Sequence, residues 1–206
     1  MSKFTRKHRD LPYRRRLVFL TEGAKTEESY LRVAERLLGL RESCDLVFPY
    51  HDTDIAQLVA QAGRQEKEPG FRPSLGDELW IILDRDEECH FPQHFSMLDA
   101  WEQAAGHRHA AISNPRFEYW LLLHVLPRPS KAQAISDSFV EKHIPRFKNL
   151  PIGTTSITRA RIQEATERAN RGNIPTPANP DHPGTAMGRL MAHLPARTGQ
   201  WCTPRT

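Results

Sequence analysis

The chain has 206 residues, enough for a core domain with an appendage. No stretch of about eighteen apolar residues is present to span a membrane. The opening Met1-Ser2-Lys3-Phe4-Thr5-Arg6-Lys7-His8 has the charges of a signal peptide without an apolar stretch after them, so the expectation is a soluble, cytoplasmic protein. Lys and Arg outnumber Asp and Glu by 29 to 25, and the excess crowds into the first sixteen residues as Arg6, Lys7, Arg9, Arg14, Arg15 and Arg16, beside His8. Such an arm either attracts a phosphate backbone or merely solubilises the chain. Cys44, Cys89 and Cys202 lie far apart with no ligand spacing, which argues against a disulfide framework or a structural zinc site built on cysteine.

From Arg16 onward short apolar runs alternate with amphipathic stretches, the pattern of a parallel α/β sheet. Leu17-Val18-Phe19-Leu20 reads as a first buried strand. Tyr30, Leu31, Val33, Ala34, Leu37 and Leu38 then recur at helical spacing until Gly39. Leu46-Val47-Phe48 predicts a second strand, and residues 53–65 a second helix with Ile55, Leu58, Val59 and Ala62 on one face. Residues 78–83 form a third strand. Phe95, Leu98, Trp101 and Ala105 mark a helix, and Ala110-Ala111-Ile112-Ser113 a fourth strand. Residues 117–125 are strongly apolar and follow Asn114-Pro115, which predicts a buried helix capped by Ser113 or Asn114.

Beyond Ser130 the aromatics thin out. Two polar amphipathic stretches, 135–148 and 156–171, precede a linker marked by Pro175, Pro177, Pro180 and Pro183, and residues 185–194 predict one more helix. The expected organisation is a basic arm at 1–15, an α/β core at 16–128, a helical C-terminal extension at 129–195 and a flexible tail at 196–206.

Chemistry concentrates where strands end. Asp84-Arg85-Asp86 follows the apolar run Leu79-Trp80-Ile81-Ile82-Leu83. Alternation along a strand puts Asp84 and Asp86 on one side and Arg85 on the other. Open α/β sheets bind ligands outside the carboxyl ends of their strands, and one or two carboxylates there suit a hard cation such as Mg2+; a solvated turn is the plain alternative. Glu22-Gly23 ends the first strand, and Glu27 stands one turn into the next helix. Carboxylates brought this close repel one another unless a cation lies among them.

These motifs resemble the Toprim fold of topoisomerases, primases and overcoming-lysogenization-defect nucleases, and more closely the RloB family of bacterial Toprim proteins. The resemblance rests on a basic N-terminus, Glu22-Gly23-Ala24-Lys25-Thr26-Glu27, Asp84-Arg85-Asp86-Glu87, and the block Ser113-Asn114-Pro115-Arg116-Phe117-Glu118-Tyr119-Trp120-Leu121-Leu122-Leu123-His124. Asn179-Pro180 before a short helix completes it. It spans the chain from Arg16 to Leu194. The fold it implies is a Rossmann-like, mostly parallel sheet flanked by helices.

The function it implies is an Mg2+- or Mn2+-dependent nuclease acting on DNA or RNA, tRNA included, in bacterial anti-phage defence. Control by an ABC- or AAA-type ATPase or another defence-complex subunit is implied too, and a homo-oligomer is compatible. By motif, Glu22 is the general base or a metal-linked carboxylate, Asp84 and Asp86 hold the metal, and Glu27 completes a second position. Glu118 either reaches the acidic pocket or pairs with Arg116. His124 either orients a phosphate or packs in the core, and Asn114 either caps the helix or touches a ligand. Lys25 can neutralise a scissile phosphate, while Arg14, Arg15, Arg16, Lys148, Arg159 and Arg161 are the candidate nucleic-acid contacts. The competing expectation is a non-catalytic nucleic-acid-binding or regulatory subunit. No GxxxxGK[ST] loop supports a nucleotide hydrolase.

Overall fold

The computed structural model describes residues 13–23, 25–52, 54–85 and 92–196. Most of the basic arm, the tail from residue 197, Asp86, Cys89 and Cys202 therefore lie outside the described residues. Four parallel strands, β1 (Arg15–Thr21), β2 (Cys44–His51), β3 (Glu78–Asp84) and β4 (Arg108–Asn114), stand in the order β2-β1-β3-β4. A short β5 (Gly184–Thr185) closes the β4 edge in the antiparallel sense. Each predicted parallel strand is present, extended by one to five residues.

Strand alternation divides the core into two layers. Leu17, Phe19, Trp80, Ile82 and Ala111 point to one face. There they meet α1 (Thr26–Leu38), α4 (Phe117–Leu122), α7 (Arg159–Arg171) and α8 (Met187–Ala196). Val18, Leu20, Leu79, Ile81, Leu83 and Ile112 point to the other face, against α2 (Ile55–Gln65) and α3 (Pro92–Gln103). Among the described residues no helix is long and apolar enough to cross a membrane.

The helices follow their local chemistry. In α1, Tyr30, Leu31, Val33, Ala34 and Leu38 form the buried stripe, and Gly39 at φ 69° ends it by donating to the Arg36 carbonyl. The Asp54 side chain caps α2 by accepting from the Ala56 amide. Thr158 caps α7 through the Arg161 amide, so that helix starts inside the stretch predicted from 156.

One reading gains detail and one needs correction. The amphipathic stretch 135–148 is not a single element. After α5 (Lys131–Ala134), α6 (Asp137–His143) stops at Ile144, and a single 3-10 turn at Phe147–Asn149 follows. Ser113 and Asn114 do not cap α4, because both are strand residues of β4; the cap position is Arg116, and the Asn114 side-chain amide donates to the Pro180 carbonyl.

The C-terminal part adds to the same core. Leu190, Met191 and Leu194 of α8 and Ile162, Ala165 and Ala169 of α7 pack in one cluster with the β1 and β3 side chains. β5 is a strand that sequence periodicity missed. The hydroxyls of Ser113 and Thr185 are 2.8 Å apart, and the Ala186 amide donates to the Ile112 carbonyl. Gly184, at φ 153°, is required there, since a Cβ would stand 2.1 Å from the Asn173 carbonyl oxygen.

Candidate acidic site at the strand mouths

Because β1 and β3 are parallel neighbours, both deliver their carboxyl ends to one edge. The Glu22 amide continues the ladder by donating to the Ile82 carbonyl (3.0 Å), and the Asp84 amide returns a bond to Glu22 Oε2 (2.8 Å). Glu22 is thereby held against the end of β3. Asp84 Oδ1 in turn accepts from the Phe117 amide at the start of α4 (2.7 Å). A carboxylate from a neighbouring strand thus satisfies an orphan amide that Ser113 or Asn114 was expected to satisfy.

Glu27 reaches back from the first turn of α1, where Oε1 accepts from the Gly23 amide (3.2 Å). Its other oxygen, Oε2, is buried and has no hydrogen-bond partner. Gly23 makes the approach possible: a Cβ there would lie 2.3 Å from Glu27 Oε2. Glu118, in the first turn of α4, faces the same mouth, since its charge acts on both Glu27 and Asp84.

The electrostatics follow. Burial foremost pushes the Glu27 carboxyl up to about 7; its own and Gly23's amides oppose this, and repulsion from Glu118 and Glu22 adds to it. Asp84 is raised well above the usual aspartate range, first by burial, then by Glu27, Glu118 and Glu22. Burial raises Glu118 too, against the opposing charges of Arg116 and Lys148. Protons here do what a cation would do, which is to relieve crowded negative charge. The donor chemistry of Glu22, Glu27 and Asp84 suits a hard divalent cation, but their oxygens do not all lie within 4.8 Å of one another, so a cation would have to draw them together; Asp86 lies outside the described residues.

The remaining candidates separate clearly. Lys148 belongs to the rim: the Leu150 amide donates to Ser29 Oγ of α1, and Lys148 pairs with Asp137 at 2.5 Å while acting on Glu118. Lys25 is exposed at the N-terminus of α1. Arg116, which sequence reasoning named only as a partner for Glu118, joins this rim.

Arg15 and Arg16 start β1 and Arg14 precedes it, so the three stand roughly 20–26 Å from Glu22 at about 3.3 Å per residue. Arg15 cannot serve as a phosphate contact. It is buried, and its guanidinium donates to the Leu194 carbonyl. Arg14 pairs with Asp45. Arg159 donates to the Leu38 carbonyl at the far end of α1, and Arg161 to the carbonyls of Thr155 and Ser156. His124 lies in the core, with Nε2 3.1 Å from the Tyr30 hydroxyl and Nδ1 3.1 Å from the Trp120 and Leu121 carbonyl oxygens. Of its two expected roles, packing is the one its position allows.

A cavity of about 820 Å3 between α4, α7 and residues 183–185 is lined by none of Glu22, Glu27, Asp84 and Glu118. Of its basic lining, Arg168 pairs with Glu164 and Arg171 with Glu167.

A family model described as RloB-like protein matches residues 17–194, so the chain belongs to the RloB-like family. No curated protein and no solved structure matches it.

Proposed function

We propose that this RloB-like chain is a Toprim-type nuclease that hydrolyses phosphodiester bonds of DNA or RNA, tRNA included, with Mg2+ or Mn2+ in the acidic mouth. The observation that carries this reading is that β1, β3, α1 and α4 bring Glu22, Glu27, Asp84 and Glu118 to one mouth of the sheet, where burial and mutual repulsion raise Glu27 and Asp84. Bound there, the cation supplies an activated water and neutralises phosphate charge. In this reading Glu22, held by the Asp84 amide, would receive the proton of the attacking water. Glu27 and Asp84 supply the ligand oxygens. Lys148, Lys25 and Arg116 supply positive charge at the rim for the phosphate backbone. The wider role in this proposal is a cytoplasmic effector of anti-phage defence, restrained by an ATPase partner.

The test is cleavage of supercoiled DNA, single strands and total tRNA by the full chain, with and without the products of neighbouring genes. Mg2+- or Mn2+-dependent cutting should fall at least about 100-fold in Glu22→Gln and Asp84→Asn. Cleavage that persists in EDTA, or survives both substitutions, would overturn it.

One observation favours a second, non-catalytic reading. Backbone amides already occupy Glu22 Oε2 and Asp84 Oδ1. The carboxylates would then lock strand ends to α4, and the chain would act as a binding or regulatory subunit. In that case Asp84→Asn lowers stability without abolishing a metal-dependent activity.

A further inference from the structure

The opposite edge of the sheet carries a different set of donors. Glu78 opens β3, and alternation places it on the same face as Trp80 and Ile82. β4 runs beside it with Trp80 opposite His109, so His109 shares that face with Ala111. α8 packs over this face through Leu190, Met191 and Leu194, which brings His193 of its last turn down onto Glu78. Three elements distant in sequence thus aim a carboxylate and two imidazoles at one point.

His193 Nε2 is 2.8 Å from Glu78 Oε2, His109 Nε2 is 3.9 Å from the same oxygen, and one donor atom from each residue lies within 4.8 Å of the others. Among the described residues no other trio of His, Cys, Asp and Glu side chains converges this closely. We propose that Glu78, His109 and His193 bind a borderline divalent cation, Zn2+ in particular, at the N-terminal edge of the sheet.

The donor set decides the metal. Two imidazoles and one carboxylate suit Zn2+ or Co2+, whereas Mg2+ prefers oxygen throughout. Bonds of about 2.0–2.1 Å in a tetrahedron place donors roughly 3.3 Å apart, so the widest present gap needs at most about 1.5 Å of closure. Closure of that size is what binding requires of the His109 and His193 side chains.

The support around the donors is already in place. The Trp80 indole N–H donates to Glu78 Oε2 at 3.3 Å, and the Trp80 ring stacks on His109 with centroids 4.4 Å apart. Such outer contacts fix ligand orientation. The Glu78 side chain is 3% exposed while His109 and His193 are 18% and 28% exposed, which leaves a route from solvent and a fourth position for water. Burial alone would raise Glu78, but the hydrogen bond and charge of His193, then Trp80 and His109, hold it below the usual glutamate range; a bound cation would take the place of those imidazole protons. Arg15, with Nη1 4.0 Å from Glu78 Oε1, opposes a second cation and weakens the site without occupying a donor.

This site is independent of the acidic mouth, at the other end of β3. Tag-free full chain, as wild type and as Asp84→Asn, should therefore retain one equivalent of Zn2+ in equilibrium dialysis. Co2+ should give the intense visible bands of tetrahedral coordination, and excess Mg2+ should not displace either ion. His193→Ala and His109→Ala should each weaken Zn2+ binding about 100-fold. His182→Ala, at an exposed histidine, should leave it unchanged. Because His193 is partly exposed, His193→Gln serves as a second variant that keeps a polar contact to Glu78 while removing the imidazole donor. Zn2+ stoichiometry and affinity unchanged in both His193 variants, or no bound Zn2+ in the wild type, would overturn the proposal.

Discussion

Replacing Glu27 with glutamine tests the electrostatic account of the acidic mouth most directly. Glutamine keeps an oxygen for the Gly23 amide and removes only the charge. The folded protein raises this carboxyl from 4.5 to about 7, which at about 1.4 kcal/mol per pH unit corresponds to about 3 kcal/mol. Folding favours the protonated form, so the contribution of Glu27 to stability is full below pH 4.5 and is lost as pH rises through 7. In EDTA, the stability of Glu27→Gln minus that of wild type should therefore be near zero in acid and approach about 3 kcal/mol above pH 7. For a chain of this size that corresponds to roughly 6–12 °C in melting temperature. Urea denaturation at constant ionic strength across this range measures the difference. Mg2+ should recover the loss in wild type and do little for the variant. Parallel pH profiles, or a variant less stable than wild type in alkaline EDTA, would refute the reasoning.

Gly23→Ala should push the Glu27 carboxylate out of its cradle, since the new Cβ meets it at 2.3 Å. The carboxylate ends a flexible side chain, so stability should fall by only about 1 kcal/mol while the Mg2+-induced rise in melting temperature shrinks markedly, as thermal denaturation with and without Mg2+ will read. His124 has the opposite sign to Glu27: burial lowers it to about 4, so its contribution is full above pH 6.5 and is lost as pH falls through 4. Its imidazole should stay neutral by NMR well below pH 6.5, and His124→Leu should flatten the acid limb of the stability profile without changing metal-dependent cleavage.

The fold was legible where one residue type had one physical reason to be present. Leu17 to Leu20 and Leu79 to Leu83 are apolar on both alternating faces because helices cover both sides of the sheet. The stripe of α1 and its glycine stop could be read the same way. β5 could not, because two residues show no period and its pairing depends on the Ser113–Thr185 contact across more than seventy positions. The break in residues 135–148 was hidden for a related reason. Val140, Ile144 and Phe147 all pack inward, but from a helix, its end and a separate turn, and the sequence pattern alone does not distinguish these from one helix face.

The two ends of β3 differ in what sequence pattern can single out. Glu22 and Asp84 each end an apolar run, so parallel pairing alone brings them together, and local pattern was enough to single them out. Glu78, His109 and His193 have no such signal. A glutamate opening a buried strand looks like a solvated end, and neither histidine lies at ligand spacing from another donor; they meet only because α8 folds back over β3 and β4. The consequence is a strand with hard oxygen donors at one end and imidazoles at the other, and these donor sets select different metals. Mg2+ should therefore restore the Glu27-dependent stability without filling the histidine site, and Zn2+ should fill that site in Asp84→Asn as well as in wild type. If one ion did both at equal affinity, the assignment of two chemically distinct ends to β3 would fail.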